Sequence, residues 1–249
     1  NELHGDLSVG KDDYDGLLDT KSGVENVTIS YNYIHDHYKS MLNGSSDDDD
    51  AGERNITYHH NYFKNLESRV PLFRYGYGHL YNNVFENINS TAINSRMGAE
   101  LLIEGNVFIN VQNPIVSFYS RAIGYWNVRD NDFVSVTWTT PDPEDARYEE
   151  SVGSTSSFEV PYDYSSYLMP TVDVANYVAE HVGIGMIDQS DDNIPVITTS
   201  DNGGETDPGS YATLPYTEDF EVANSSIFFD SAYKDLSGSA GSGTPMYHR

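Results

Sequence analysis

The sequence predicts an all-β chain wound as a parallel β-helix. Two observations lead there: a strand motif ending in Asn that recurs at a near-constant interval, and a composition suited to β-structure rather than to long helices. The motif occurs as VTISYNYI, ITYHHNYF, HLYNNVF, LLIEGNVF and VRDNDF, which places its Asn at Asn32, Asn61, Asn83, Asn106 and Asn131. The intervals of 29, 22, 23 and 25 residues match one coil of a solenoid. Aromatic residues make up 13% of the 249, with twenty Tyr and twenty Gly, a balance that favours strands and turns.

Three residues before each Asn stands Ile29, Tyr58, Leu80, Ile103 or Val128. Strand alternation therefore turns one face of each repeat inward. Stacked coils bury together what no single coil could bury alone. An Asn at each bend can both donate to and accept from its neighbour along the axis. Antiparallel hairpins, the competing arrangement, favour Asn-Gly in two-residue loops, and the repeated motif lacks it.

Past Asn131 the repeat fades. Residues 136–170 are rich in Ser, Tyr, Pro and acidic groups and read as long loops wrapping the solenoid. Asp173 precedes VANYVAEHVGIG, where Val174, Tyr177, Val178 and Val182 share one helical face and Gly183 supplies a stop. This predicts one short helix packed on the β-helix. The polar stretch 188–213, broken by Gly and Pro, reads as a linker. Residues 214–249 regain aromatic and apolar character, and open either an appended domain, such as a carbohydrate-binding β-sandwich, or a tail packed back on the solenoid. The division expected is thus 1–187, 188–213 and 214–249. The chain opens at Asn1 inside a running repeat, so further coils are expected before it.

The net charge of −26, from 39 acidic and 13 basic residues, argues against nucleic acid or an anionic membrane surface as a general partner. No apolar run reaches the ~20 residues of a membrane span. With no Cys, neither disulfides nor thiolate metal sites exist. Basic residues are few, so their placement carries information. Lys39 lies seven residues after Asn32 and Arg69 eight after Asn61, nearly the same phase on coils about 4.8 Å apart. Arg74 and Arg96 each lie thirteen after their own Asn. In DGLLDTK, Asp15 and Asp19 are four apart and would share the face of an extended strand. Two carboxylates so placed either hold a hard cation such as calcium or pair with the Lys and Arg row; spacing alone leaves both open. The DDDD run at 47–50 reads as a solvated loop.

The segments DGLLDTK, VTISYNYIHDHYK, RNITYHHNYFKN, SRVPLFRYG, HLYNNVFENI and AINSRMGAELLIEGN resemble, in order and spacing, the pectate lyases of polysaccharide lyase family 1. The resemblance covers residues 1–135, with a weaker match in YDYSSYLMPTVDVANYVAEHVGIG. It implies a right-handed parallel β-helix and a secreted, extracellular, monomeric enzyme. Such an enzyme would use Ca2+ to cleave α-1,4-linked polygalacturonate by β-elimination, leaving 4,5-unsaturated products. By the same resemblance Asp15 and Asp19 match calcium ligands and Arg69 matches the base. Lys39 and Arg74 match binders of substrate carboxylates, and Arg96 a further substrate arginine. A third calcium-binding Asp would lie in a strand ending just before Asn1.

His35 and His37 belong to the motif without a catalytic role. They are expected to be structural, as are His59, His60 and His79 in the repeat strands. An arginine base needs neighbours that favour a neutral guanidine, whose ordinary pKa is about 12 or more; nearby cations do so, which points to action at alkaline pH. A pectin lyase would lack the two aspartates, and a glycoside hydrolase would need a flanking carboxylate pair. A β-helix that only binds polysaccharide would have no need of Arg69.

Overall fold

The structure, a computed structural model, describes residues 1–50, 54–139, 141, 143–151 and 153–185. All of them belong to one compact unit, Asn1–Thr199. The linker expected over 188–213 and the segment expected over 214–249 lie outside the described residues.

The chain winds in coils of three short strands. After β1 (Glu2–His4) come β2 (Val27–Ser30), β3 (Tyr33–Lys39) and β4 (Leu42–Asn43). The following coils are β5 (Asn55–His59), β6 (Tyr62–Ser68) and β7 (Leu72–Arg74), then β8 (Tyr77–Tyr81), β9 (Val84–Ile88) and β10 (Ile93–Arg96). Next are β11 (Glu100–Glu104), β12 (Val107–Val111) and β13 (Ile115–Ser117), and a last coil holds β14 (Tyr125–Arg129) and β15 (Asp132–Val134). The strand β16 (Ala146–Arg147) and the helices α1 (Tyr148–Ser151) and α2 (Thr171–His181) complete the described elements.

Strands at the same place in successive coils pair with one another. A first sheet runs β2-β5-β8-β11-β14, a second β1-β3-β6-β9-β12-β15 and a third β4-β7-β10-β13-β16. All of these pairings are parallel except that of β13 with β16. The architecture is the parallel β-helix that the repeat predicts.

The repeat residues do what their chemistry suggests. Ile29, Tyr58, Leu80, Ile103 and Val128 sit opposite one another across the first sheet. Ile34, Phe63, Phe85, Phe108 and Phe133 do the same in the second. The four phenyl rings stack at 5.0, 4.6 and 5.0 Å, so parallel pairing brings like onto like and fills the core with offset aromatic contacts.

At the corner between the first and second sheets, each Asn amide donates to the amide oxygen one coil further on. Asn32 donates to Asn61, Asn61 to Asn83 and Asn83 to Asn106, each at 3.0 Å, and Asn106 to Asn131 at 2.9 Å. Asn1 adds a rung that the motif spacing does not show, donating to Asn32 at 3.3 Å. The residue before each repeat Asn is left-handed: Tyr31, His60, Asn82, Gly105 and Asp130, with φ of 55°, 52°, 50°, 62° and 46°. That backbone turns the corner, and the buried amide satisfies the main-chain groups the turn leaves unpaired.

The segment 153–169 wraps the outer face of the first sheet, as expected of the loops over 136–170. Thr155 N–H donates to the Trp126 carbonyl at 2.8 Å, Asn127 donates to the Phe158 carbonyl at 2.9 Å and Phe158 stacks on Tyr77 at 5.0 Å. Helix α2 starts at Thr171 behind Pro170, with no side-chain cap bond. Asp173 is therefore not the residue before the helix but part of its first turn, where a negative charge suits the helix dipole. The predicted face holds: Val174, Val178 and Val182 pack on Val84 and Val107, with Tyr177 beside them.

Two buried histidines in the first corner make a prediction. His59 Nδ1 and His60 Nδ1 lie 2.9 Å apart, so one ring donates and the other accepts; the accepting ring is neutral and the two cannot both be charged. Tyr31 and Tyr81 enclose both rings. Burial pushes His59 down to about 3, helped by His60 and His79, and His60 down to about 4, helped by His181. In the unfolded chain both take up protons below about 6.5. Stability is therefore full above that pH and is lost as pH falls towards 4, by about 1.4 kcal/mol per pH unit for each ring. Urea unfolding between pH 7 and 4.5 should show this slope, and His60→Gln should remove about half of it.

Candidate active site

The basic residues singled out by the repeat end three strands and occupy one turn. Lys39 closes β3, Arg74 closes β7 and Arg96 closes β10, while Arg69 lies in the turn between β6 and β7. Lys39 sits opposite Ser68, one residue short of Arg69, and Arg74 sits opposite Arg96. Parallel pairing thus places the four on three successive coils, Lys39 and Arg69 where the second sheet turns into the third and Arg74 and Arg96 at the far ends of third-sheet strands. Arg69 has φ 61°, and both neighbouring coils pin this corner: Met41 N–H donates to its carbonyl at 2.8 Å, and Val70 N–H donates to the Ala92 carbonyl at 3.0 Å.

Each side chain has a different surrounding. Lys39 Nζ bonds Asp12 Oδ1 at 2.5 Å. Arg74 Nε donates to Asp47 Oδ1 at 2.7 Å and its Nη1 to the Gly44 carbonyl at 3.1 Å. Arg96 is only 8% exposed, and its buried Nε has no partner among the described residues. Burial, together with Arg74 and Arg69, pushes the Arg96 guanidinium down to about 10 against the pull of Asp47. Among the described residues no hydrogen bond or ion pair engages the Arg69 guanidinium. Three arginines converge where the protein supplies few carboxylates to match them.

Asp15 and Asp19 do not lie on a strand. Residues 11–19 form turns and bends that lead into Thr20, which pairs in parallel with Asn43 of β4; Leu17 N–H donates to the Ser40 carbonyl at 2.8 Å and Thr20 N–H to the Leu42 carbonyl at 2.7 Å, and Leu17 and Leu18 pack on the core. Asp19 Oδ1 accepts from Leu42 N–H at 2.8 Å and Oδ2 pairs with Lys21 at 3.0 Å. A Cβ at Gly16 would overlap the Asp19 carboxylate, so glycine lets the loop fold closely over it. The pairing of aspartates with the basic row, left open by the sequence, is met by Asp12 on Lys39 and Asp47 on Arg74 rather than by Asp15 or Asp19.

Two hard carboxylates suit calcium in kind, but calcium takes six to eight oxygens. Among the described residues no group of three acidic or imidazole side chains gathers into a metal cage. Asp15 and Asp19 suit such a set by ligand type alone, and the Asp19 oxygens already meet Leu42 N–H and Lys21.

The DDDD run is not simply solvated. Asp49 is 7% exposed and bonds the fully buried Arg54 at 2.8 Å. Burial raises its carboxyl, but Ser45, Ser22 and Arg54 together hold it down at about 2. Asp47 binds Arg74. His37, buried at 3%, accepts from Lys39 N–H through Nδ1 at 3.0 Å, so this structural histidine fixes the backbone of a site residue. His79 pairs with Glu104 at 2.8 Å inside the wrap, on β8 of the first sheet and not on the third-sheet strands that end in Arg74 and Arg96.

A family model described as pectate lyase matches residues 4–187, a span that contains both aspartates and all four basic residues. The chain belongs to the pectate lyase family. It is 48% identical over 188 residues to a pectate trisaccharide-lyase of Bacillus licheniformis, covering 75% of this chain and 51% of the relative. A solved Bacillus pectate lyase in complex with trigalacturonate aligns with TM-score 0.65 and 39% identity, over 76% of this chain and 59% of that one. A pectate lyase of Erwinia chrysanthemi solved with calcium aligns with TM-score 0.65 and 36% identity, over 70% of this chain and 51% of that one. The chain spans about half the length of the curated relatives it matches. No helix among the described residues is long and apolar enough to cross a membrane.

For this pectate lyase chain, sequence reading named the cations of the row and missed what holds them. Asp47, Asp49, Arg54 and Arg121 lie outside the repeat's phase, and the only sign of two of them was a charge run that reads equally well as solvated.

Proposed function

We propose that the protein is a secreted, monomeric, calcium-dependent pectate lyase that cleaves α-1,4-linked polygalacturonate by β-elimination. The observation that carries this reading is the convergence of Arg69, Arg74 and Arg96, one of them buried with an unpaired guanidinium nitrogen. Burying like charges together costs energy that an incoming anion would offset. A polymer bearing one carboxylate per sugar is such an anion.

In this reading Lys39, Arg74 and Arg96 bind uronate carboxylates and fix the sugar against the row. Arg69 takes the C5 proton, a role that requires its guanidine in the neutral form. The electron pair released at C5 forms the C4=C5 double bond. The C4–O bond breaks, and the leaving oxygen takes a proton from solvent. Negative charge developing on the carboxylate is met by preorganised cations, which lowers the barrier. A calcium ion held in part by Asp15 and Asp19 would, when bound, neutralise the same carboxylate.

The test is the ultraviolet absorbance of the unsaturated product. Incubated with polygalacturonate and calcium, the protein should give a steadily rising signal, and excess chelator should suppress it by at least tenfold. No unsaturated product at all would sink the lyase reading. Binding without cleavage would leave a polysaccharide-binding β-helix, and calcium-independent cleavage of methylated pectin would make the protein a pectin lyase.

A further inference from the structure

The acidic turn after β4 reaches Arg74 of the basic row and, beside it, Tyr75 and Arg121. Asp47 Oδ1 accepts from Arg74 Nε at 2.7 Å and Asp47 Oδ2 from the Arg121 main-chain N–H at 3.1 Å. The Asp47 carbonyl accepts from Arg121 Nη2 and from the Tyr75 hydroxyl, both at 2.6 Å, and Asp48 Oδ1 takes Arg121 Nη2 at 2.5 Å. Arg121 lies past β13, in the turn two coils beyond Arg74, so one aspartate ties together distant turns along the edge of the third sheet.

The turn itself is anchored from below. The fully buried Arg54 donates to the Asp49 carbonyl and carboxylate at 3.1 and 2.8 Å, and to the Arg74 carbonyl at 2.9 Å. Gly44, with φ 90°, packs so closely that a Cβ would stand 3.1 Å from that of Arg74. The main chain of Arg74 is thereby held by Arg54 and its side chain by Asp47 and Gly44. Of the five N–H donors of a guanidinium, Nε and one on Nη1 are engaged, and the others remain for an anion.

We propose that Asp47 is a positioning residue: it orients the Arg74 guanidinium so that the donors left over meet a substrate carboxylate, and Arg121 latches the turn that carries it. The inference rests on the reading of Arg74 as a carboxylate binder. A bidentate guanidinium contact is orientation-sensitive, so a swinging Arg74 binds less well even with its charge intact. Asp47 also lowers the net positive charge of the row. Geometry and charge therefore oppose one another, and the proposal is that geometry prevails.

Three substitutions in the full chain decide this. Asp47→Ala should raise KM on polygalacturonate at least fivefold with kcat within about twofold, and Asp47→Asn, which keeps an acceptor for Arg74 Nε, should recover at least half of that loss. Arg121→Ala, which frees the turn without touching Arg74, should raise KM by less than Asp47→Ala. An unchanged or lowered KM in Asp47→Ala would overturn the proposal. A second readout does not depend on activity: the Arg74 Nε–H signal in proton–nitrogen NMR spectra, assigned by its loss in Arg74→Lys. It should exchange slowly in the parent and broaden in Asp47→Ala; persistence there means that Asp47 does not hold the side chain. If the parent makes no unsaturated product, the lyase reading falls, while this signal still decides whether Asp47 positions Arg74.

Discussion

Arg69→Ala is expected to lower kcat on polygalacturonate by about a thousandfold, the scale of losing a positioned general base, with KM changed less than threefold. The asymmetry follows from the row. Lys39, Arg74 and Arg96 remain to hold the substrate, so binding survives while proton removal does not. The variant should fold: among the described residues the Arg69 guanidinium carries no hydrogen bond or ion pair, so truncation orphans no buried group. Alanine meets the same left-handed φ of 61° that arginine already tolerates. Arg69→Lys should recover little, because an ammonium neither reaches the same point nor presents the same planar nitrogens. Initial rates of unsaturated product, with a thermal melt of each variant, check both halves. More than a tenth of parental activity in the alanine variant would remove Arg69 from the role of base.

The second large effect concerns folding. Asn83→Ala should cost about 3–5 kcal/mol in chemical unfolding, while Asn110→Ala should cost about 1 kcal/mol or less. Both residues belong to asparagine ladders. Asn83 is fully buried; its oxygen accepts from both Asn61 N–H groups at 3.0 Å, and its amide nitrogen donates to the Tyr58 and Tyr81 carbonyls and to Asn106. Truncation leaves several of these groups buried and unpaired, at about 1–3 kcal/mol each. Asn110 belongs to an outer ladder, giving one exposed bond of 2.8 Å to Asn87, and water replaces what is lost. Equal costs for the two would mean that the inner ladder is decoration on a fold held by its apolar stack.

The inner ladder also explains what could be read from the sequence. Stacked coils place each residue on its own kind, so Asn32, Asn61, Asn83, Asn106 and Asn131 appear as a period, and counting from them put Arg74 beside Arg96 and Lys39 one step from Arg69. Phase within a coil is local, which made it legible. The aspartates were not legible in the same way. Asp15 and Asp19 share a face only if the chain between them is extended, and the close approach that Gly16 permits bends it into a loop. For DDDD the deciding partner, Arg54, lies beyond the run and becomes significant only when buried against it. Nothing periodic ties either segment to the repeat. Loops that leave the coil obey tertiary contacts, and those contacts set the second layer of the site.

The parallel pairing that joins Lys39 to Ser68 and Arg74 to Arg96 has a further effect. Coils differ in length, from 22 to 31 residues between ladder asparagines, yet the separation of their strands is set by main-chain hydrogen bonds at about 4.8 Å. Loop insertions alter what surrounds the cations without altering the interval between the strands that bear them. The molecule is a ruler graduated by its own backbone, against which a polymer with regularly recurring charges can be measured and a single sugar acid cannot.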